Sequence, residues 1–109
     1  MKTYILTKSN RKHSEYKIDM GNHSHHFGGK GARTYVSGRS DREKAAWIAR
    51  HRKGKNWDNF HSAIFMSRSL LWGPHKSLND NIKDYEEKYD VKIIKRIRAV
   101  GMETHEPAA

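Results

Sequence analysis

Apolar residues alternate with polar ones near the N-terminus and then adopt a helical spacing after residue 40. Residues 3–8 are rich in β-branched and aromatic side chains, which predicts a strand. Tyr16, Ile18 and Met20 alternate with charged residues over 15–20, which is typical of a strand with one buried face. We therefore predict a β-hairpin, extended to a meander if residues 23–27 form a third short strand.

A first helix is predicted from residue 40, where Ser40 and Glu43 have the spacing of a capping box. We expect it to end near Lys53, because Gly54 suits a helix C-terminus. Four residues spaced at i, i+3, i+4 and i+7 should form its buried face: Lys44, Trp47, Ile48 and His51. The opposite arc should carry Arg42, Ala46, Ala49, Arg50 and Lys53.

Two further helices and a closing strand complete the predicted fold. Residues 60–72 are apolar nearly all round, which indicates a central buried helix, with Asp58 or Asn59 as its N-cap. Ser77, with Asp80 three residues later, opens a third helix. The β-branched residues of 91–100 favour a final strand, although Ile93, Ile97 and Val100 also fit a helix. The predicted class is a small α+β protein with a single domain over 1–100 and a C-terminal tail over 101–109.

Charge concentrates in the middle of the 109-residue chain, which has a net charge of +10. Residues 30–55 contain nine basic and two acidic side chains, whereas residues 56–109 contain eight of each. A focused excess of this kind points to an anionic partner such as nucleic acid or an acidic protein surface. The chain has no cysteine, so thiol catalysis and thiolate metal sites are excluded and a reducing compartment is expected. We expect neither a membrane partner nor a small-molecule substrate.

Basic residues on the first helix and beside it are the candidate nucleic-acid-binding residues. Arginine presents a forked set of donors that matches phosphate oxygens, and such contacts give affinity without sequence preference. The candidates are Lys30, Arg33, Arg39, Arg42, Arg50, Arg52, Lys53 and Lys55. An alternative is that these residues are only the solvated side of an amphipathic helix.

Histidines offer a weaker alternative, because no carboxylate or cysteine lies at a helpful spacing beside His23, His25 and His26. On a strand, His23 and His25 would share a face and His26 would point away. The stretch containing His51, Asn56, Asp58, Asn59 and His61 is superficially similar to an HNH-type metal-dependent nuclease. We expect no catalytic residue, metal or cofactor, and keep this nuclease as an alternative.

Several short motifs give the chain a resemblance to a known group of proteins. They are His26-Phe27-Gly28, Ala49-Arg50-His51 and Ser67-Arg68-Ser69-Leu70-Leu71-Trp72. Over about residues 3–90 the chain resembles a family of short basic proteins of unknown function, encoded by large DNA viruses of eukaryotes and by some phages. It departs from the family pattern after Trp72, at Gly73-Pro74-His75-Lys76.

That resemblance implies a viral origin but no activity. With the basic cluster it leads us to expect a non-enzymatic, virion-associated protein that binds nucleic acid, located in the virion or in the host cell interior. The alternative is a minor capsid or cement protein held by contacts with other virion proteins.

Overall fold

The computed structural model describes residues 1–97 and shows an α+β fold built on one mixed sheet. Its strands are β1 (Lys2–Lys8), β2 (Ser14–Asp19), β3 (Ser24–Gly29) and β4 (Val91–Arg96). Their order across the sheet is β3-β2-β1-β4. The first three strands form an antiparallel meander, and β4 runs parallel to β1. The predicted meander and closing strand are therefore confirmed.

Alternation along the strands assigns one face of the sheet to the core. Tyr4 and Leu6 on β1, Ile18 on β2 and Phe27 on β3 are buried, as is Ile93 on β4. Residues of opposite parity, which lie on the other face, are exposed or half-buried. Residues 98–100 of the predicted final strand and the predicted tail over 101–109 lie outside the described residues.

Three helices follow the meander within the described part of the chain. A 3₁₀ turn, Tyr35–Ser37, precedes α1 (Asp41–His51). The second helix, α2, spans 63–71 and has an α-helical part, Ala63–Met66, followed by a π-helical part, Ser67–Leu71. The third, α3 (Leu78–Tyr89), leads directly into β4. The capping boxes predicted the starts of α1 and α3 correctly, since Ser40 and Ser77 accept hydrogen bonds from Glu43 N and Asp80 N.

The predicted start of the second helix at residue 60 is wrong, as is its predicted cap. The N-cap is Ser62, whose hydroxyl accepts a hydrogen bond from the Phe65 amide. Asn59 instead stabilises a turn before the helix, because its side chain accepts a hydrogen bond from the His61 amide. Asparagine competes with helix formation in this way, so residues 57–62 form turns.

The π-helical part of α2 explains how the helix is buried on nearly all sides. The Trp72 amide donates to the Ser67 carbonyl, five residues back, at 3.0 Å. The wider turn places Leu70, Leu71 and Trp72 in the core together. The prediction of a central helix that is apolar nearly all round is confirmed, whereas its π-helical geometry was not predicted.

Candidate nucleic-acid interface

Helix α1 is held at its N-terminus by the capping box and at its centre by Trp47. The Ser40 amide donates to the Glu43 carboxylate at 3.0 Å, and Arg39 also pairs with this carboxylate. The hydrogen bond from Ser40 and the pairing with Arg39 lower the pKa of Glu43 from its ordinary 4.5 to about 2. Glu43 is therefore ionised at neutral pH and partly neutralises Arg39.

Trp47 is the anchor that orients the basic side of α1. Its ring is stacked between His51, at 4.4 Å between centroids, and Trp72 at the end of α2, at 4.9 Å. Only 9% of the Trp47 side chain is exposed. The stack attaches α1 to the core through one face and leaves Arg42 and Arg50 of the helix in solvent.

The eight predicted cations belong to α1 or to the segments beside it in the chain, and the structure divides them into two groups. Seven of them are exposed and form no salt bridge with any residue in 1–97: Lys30, Arg33, Arg42, Arg50, Arg52, Lys53 and Lys55. The eighth, Arg39, is half-buried and pairs with Glu43. Three of the eight, Arg33, Arg39 and Arg50, line one cavity, and the others lie outside it.

That cavity, which we call the arginine cavity, lies between the end of β3, the loop after it and α1. Its volume is about 520 Å³. It is lined by Gly28, Gly29, Ala32, Arg33, Thr34, Arg39, Glu43, Ala46, Trp47, Arg50, His51, Ile64, Ser67, Leu71 and Trp72. The three arginines belong to three separate parts of the chain, so the sequence could not show that they converge.

Gly28 allows α2 to close one wall of the arginine cavity. A Cβ atom on Gly28 would lie 2.8 Å from Cδ1 of Leu71, and its φ of +77° is also unfavourable for other residues. Any larger residue would displace the Leu71 methyl group from this wall. Gly28, which lies within β3, therefore has a packing role that the sequence did not indicate.

His51 lies on the predicted inward face of α1, since it stacks on Trp47. It is half-buried and lines the arginine cavity. Its Nδ1 donates a hydrogen bond to the carbonyl of Trp47 at 2.8 Å, because a carbonyl can only accept. This contact assigns the tautomer and leaves Nε2 available to a ligand.

A second cavity, of about 290 Å³, lies on the other side of α1 against α2 and α3. Its lining includes Lys44 and Arg68, whose cationic groups already bond to the protein. Lys44 Nζ donates to the Gly73 carbonyl at 2.7 Å, and Arg68 donates to the Trp57 carbonyl at 2.7 Å and to Asp58 at 2.9 Å. These cations stabilise the connections around α2 and are not free to bind a ligand.

The histidines of the predicted nuclease-like set are distributed over different places. His61 lies 4.6 Å, between ring centroids, from His23, which stacks on His25 as expected for one face of a strand. Burial and the neighbouring His23 and His61 lower the pKa of His25. His26 points to the other face, where its Nδ1 is 2.7 Å from the Ser9 hydroxyl. Within residues 1–97, no three His, Cys, Asp or Glu side chains are arranged to hold a metal ion.

Comparison of the chain with models of protein families, with curated proteins and with solved structures finds no match. Among the described residues, no helix combines the length and the apolar character that crossing a membrane requires.

Proposed function

We propose that the protein binds nucleic acid without sequence preference, through α1 and the segments that flank it, as a non-enzymatic component of a virus particle. The observation that carries this proposal is the set of seven exposed cations on α1 and in the segments beside it in the chain, which form no salt bridge within residues 1–97. Unpaired cations concentrated on one part of a surface favour a polyanion.

The surface of α1 suits a phosphate backbone in shape as well as in charge. Ala45, Ala46 and Ala49 are exposed between the cations of the helix. Their short side chains leave room for a strand to approach Arg42, Arg50 and Lys53. Contacts of arginine and lysine with phosphates are indifferent to base sequence, so we expect similar affinity for unrelated sequences.

A salt titration with random-sequence DNA tests the proposal. The logarithm of the association constant should fall linearly with the logarithm of salt concentration, by about 0.9 for each duplex phosphate neutralised. The double variant Arg42→Glu/Lys53→Glu should weaken binding by at least ~100-fold at low salt, since it reverses two charges on the exposed arc.

The matched control is Lys83→Glu/Lys88→Glu, which makes the same change in net charge on the exposed surface of α3. It should retain most of the binding, because α3 belongs to the part of the chain without excess positive charge. No binding by the wild-type protein at low salt would overturn the proposal and favour a capsid or cement protein. Mass spectrometry of purified virus particles tests the proposed location.

A further inference from the structure

We infer that the arginine cavity receives a phosphate monoester, as found at the phosphorylated end of a nucleic-acid strand. The inference rests on the proposed function, because it assigns one place on the binding surface to the end of the bound strand. Its basis is the convergence of Arg33, Arg39 and Arg50 on one concave site.

The charge of the cavity matches a monoester better than an internal phosphate. Arg33, Arg39 and Arg50 contribute three positive charges, and Glu43 contributes one negative charge, so two positive charges are uncompensated. A phosphate monoester carries about −1.5 to −2 charges at pH 7 and three terminal oxygens, whereas an internal phosphodiester carries a single negative charge. The forked donors of arginine suit the three terminal oxygens of a monoester.

The aromatic residues of the cavity favour a phosphate over a base. Trp47 is covered by His51 on one face and by Trp72 on the other, so neither face is available for stacking. In the tautomer that the bond at Nδ1 fixes, His51 Nε2 is an acceptor, so it can bond only a phosphate oxygen that carries a proton. The stack therefore leaves neither face of Trp47 open to a nucleobase.

The rest of a bound strand has a direct route away from the cavity. Arg50 lines the cavity and is itself exposed, and it lies one helical turn from Ala46, which is also in the lining. Arg42, in the first turn of α1, and Lys53, two residues beyond its end at His51 rather than within the helix as predicted, lie outside the cavity. A strand whose end occupies the cavity can therefore continue over these two cations.

The test uses the full chain and one fluorescent single-stranded oligonucleotide in three forms: with a 5′-phosphate, with a 3′-phosphate and with hydroxyls at both ends. We expect one phosphorylated form to bind about tenfold more tightly than the hydroxyl form, because charge-assisted hydrogen bonds are formed only to the monoester. Arg33→Ala and Arg50→Ala should each bring the ratio of the two affinities, phosphorylated form over hydroxyl form, close to one. Arg42→Ala and Lys53→Ala, the matched controls, should weaken binding of all three forms and leave the ratio unchanged.

A gain-of-binding variant guards against misfolding as an explanation. Glu43→Gln removes the one carboxylate in the cavity lining and can retain the capping contact to the Ser40 amide. It should bind the preferred phosphorylated form more tightly than the wild type does. Arg50→Lys should recover only part of the preference, because lysine keeps the charge and loses the forked donors.

The outcomes separate this inference from the proposed function. If the three oligonucleotides bind with equal, salt-dependent affinity, the inference is overturned and the proposed function stands. If no oligonucleotide binds while a nucleoside 5′-monophosphate does, the cavity is a site for a free nucleotide. That result would support binding of a phosphate monoester in the cavity and overturn the proposed function. Binding of neither ligand would overturn both.

Discussion

Asn81 shows how a single polar residue organises the interior of this protein. It lies on α3 with only 1% of its surface exposed. Its side-chain amide donates to the carbonyls of Leu70 and His75, and its carbonyl oxygen accepts from the His75 amide, all at 2.9 Å. It thereby connects α3 to the end of α2. Gly73 approaches the Asn81 side chain so closely that a Cβ atom on Gly73 would lie 2.9 Å from the Asn81 oxygen.

We predict that Asn81→Ala lowers the free energy of unfolding by ~2–4 kcal/mol, because it leaves three backbone groups without their partner. Asn79→Ala is the control on the same helix, since Asn79 is exposed and bonds only Lys95 among the described residues. It should change stability by about 0.5 kcal/mol or less. Urea unfolding followed by circular dichroism measures both, and equal effects would contradict the role given to Asn81.

At the scale of the element, α1 combines a strong N-terminal cap with a half-buried body. Ser40 and Glu43 satisfy two amide groups of the first turn reciprocally. Most of the helix surface is exposed, and Trp47 is its one buried residue. A helix with so little buried surface depends on its cap more than α2 does.

This dependence predicts a pH effect. The folded-state pKa of Glu43 lies below its ordinary value, so its stabilising contribution is present above about pH 4.5 and is lost as the pH falls towards 2. The urea midpoint of Glu43→Gln should therefore lie below that of the wild type near pH 6, and the two should converge near pH 2. Glu87→Gln, an exposed change on α3, should follow the wild type throughout. A difference in urea midpoint between Glu43→Gln and the wild type that stays constant with pH would contradict this account.

Sequence patterns predicted the elements whose signals are local. Ser40 and Ser77 marked helix starts correctly, because a capping hydroxyl bonds an amide only three residues away. The same reasoning selected the wrong residue at α2, where Asn59 forms a turn and Ser62 is the cap. Both residue types suit both positions, and the choice depends on what the following segment packs against.

At the scale of the whole molecule, the helices of the described residues cover one face of the sheet and leave the other without a covering helix. Strand β4 enters beside β1 in parallel, which places Ile93 beside Tyr4 and Ile94 beside Ile5. Ile93 is 6% exposed, whereas Ile94 on the opposite face is half-buried. The arrangement joins the last described strand to the first and encloses the core between the sheet and the helices.

Neighbouring isoleucines of β4 therefore provide a matched test of the architecture. Ile93→Ala should lower the free energy of unfolding by ~2–4 kcal/mol, since it leaves a cavity between the sheet and the helices. Ile94→Ala makes the same chemical change on the face without a covering helix, and it should lower the free energy of unfolding by about 1 kcal/mol or less. Chemical denaturation of the two variants measures the difference. A larger loss for Ile94→Ala would mean that another part of the protein covers this face.

The sequence by itself determined the strands of the meander, the capped starts of α1 and α3 and the concentration of positive charge around α1. These features depend on the residue types within one short segment. Tertiary structure alone decided the parallel pairing of β4 with β1, the π-helical end of α2 and the burial of Asn81. It also decided which cations meet, since Arg33, Arg39 and Arg50 come together only when the loop after β3 packs beside α1. Contacts between distant residues have no local signal, so the sequence indicated the charge but not the cavity.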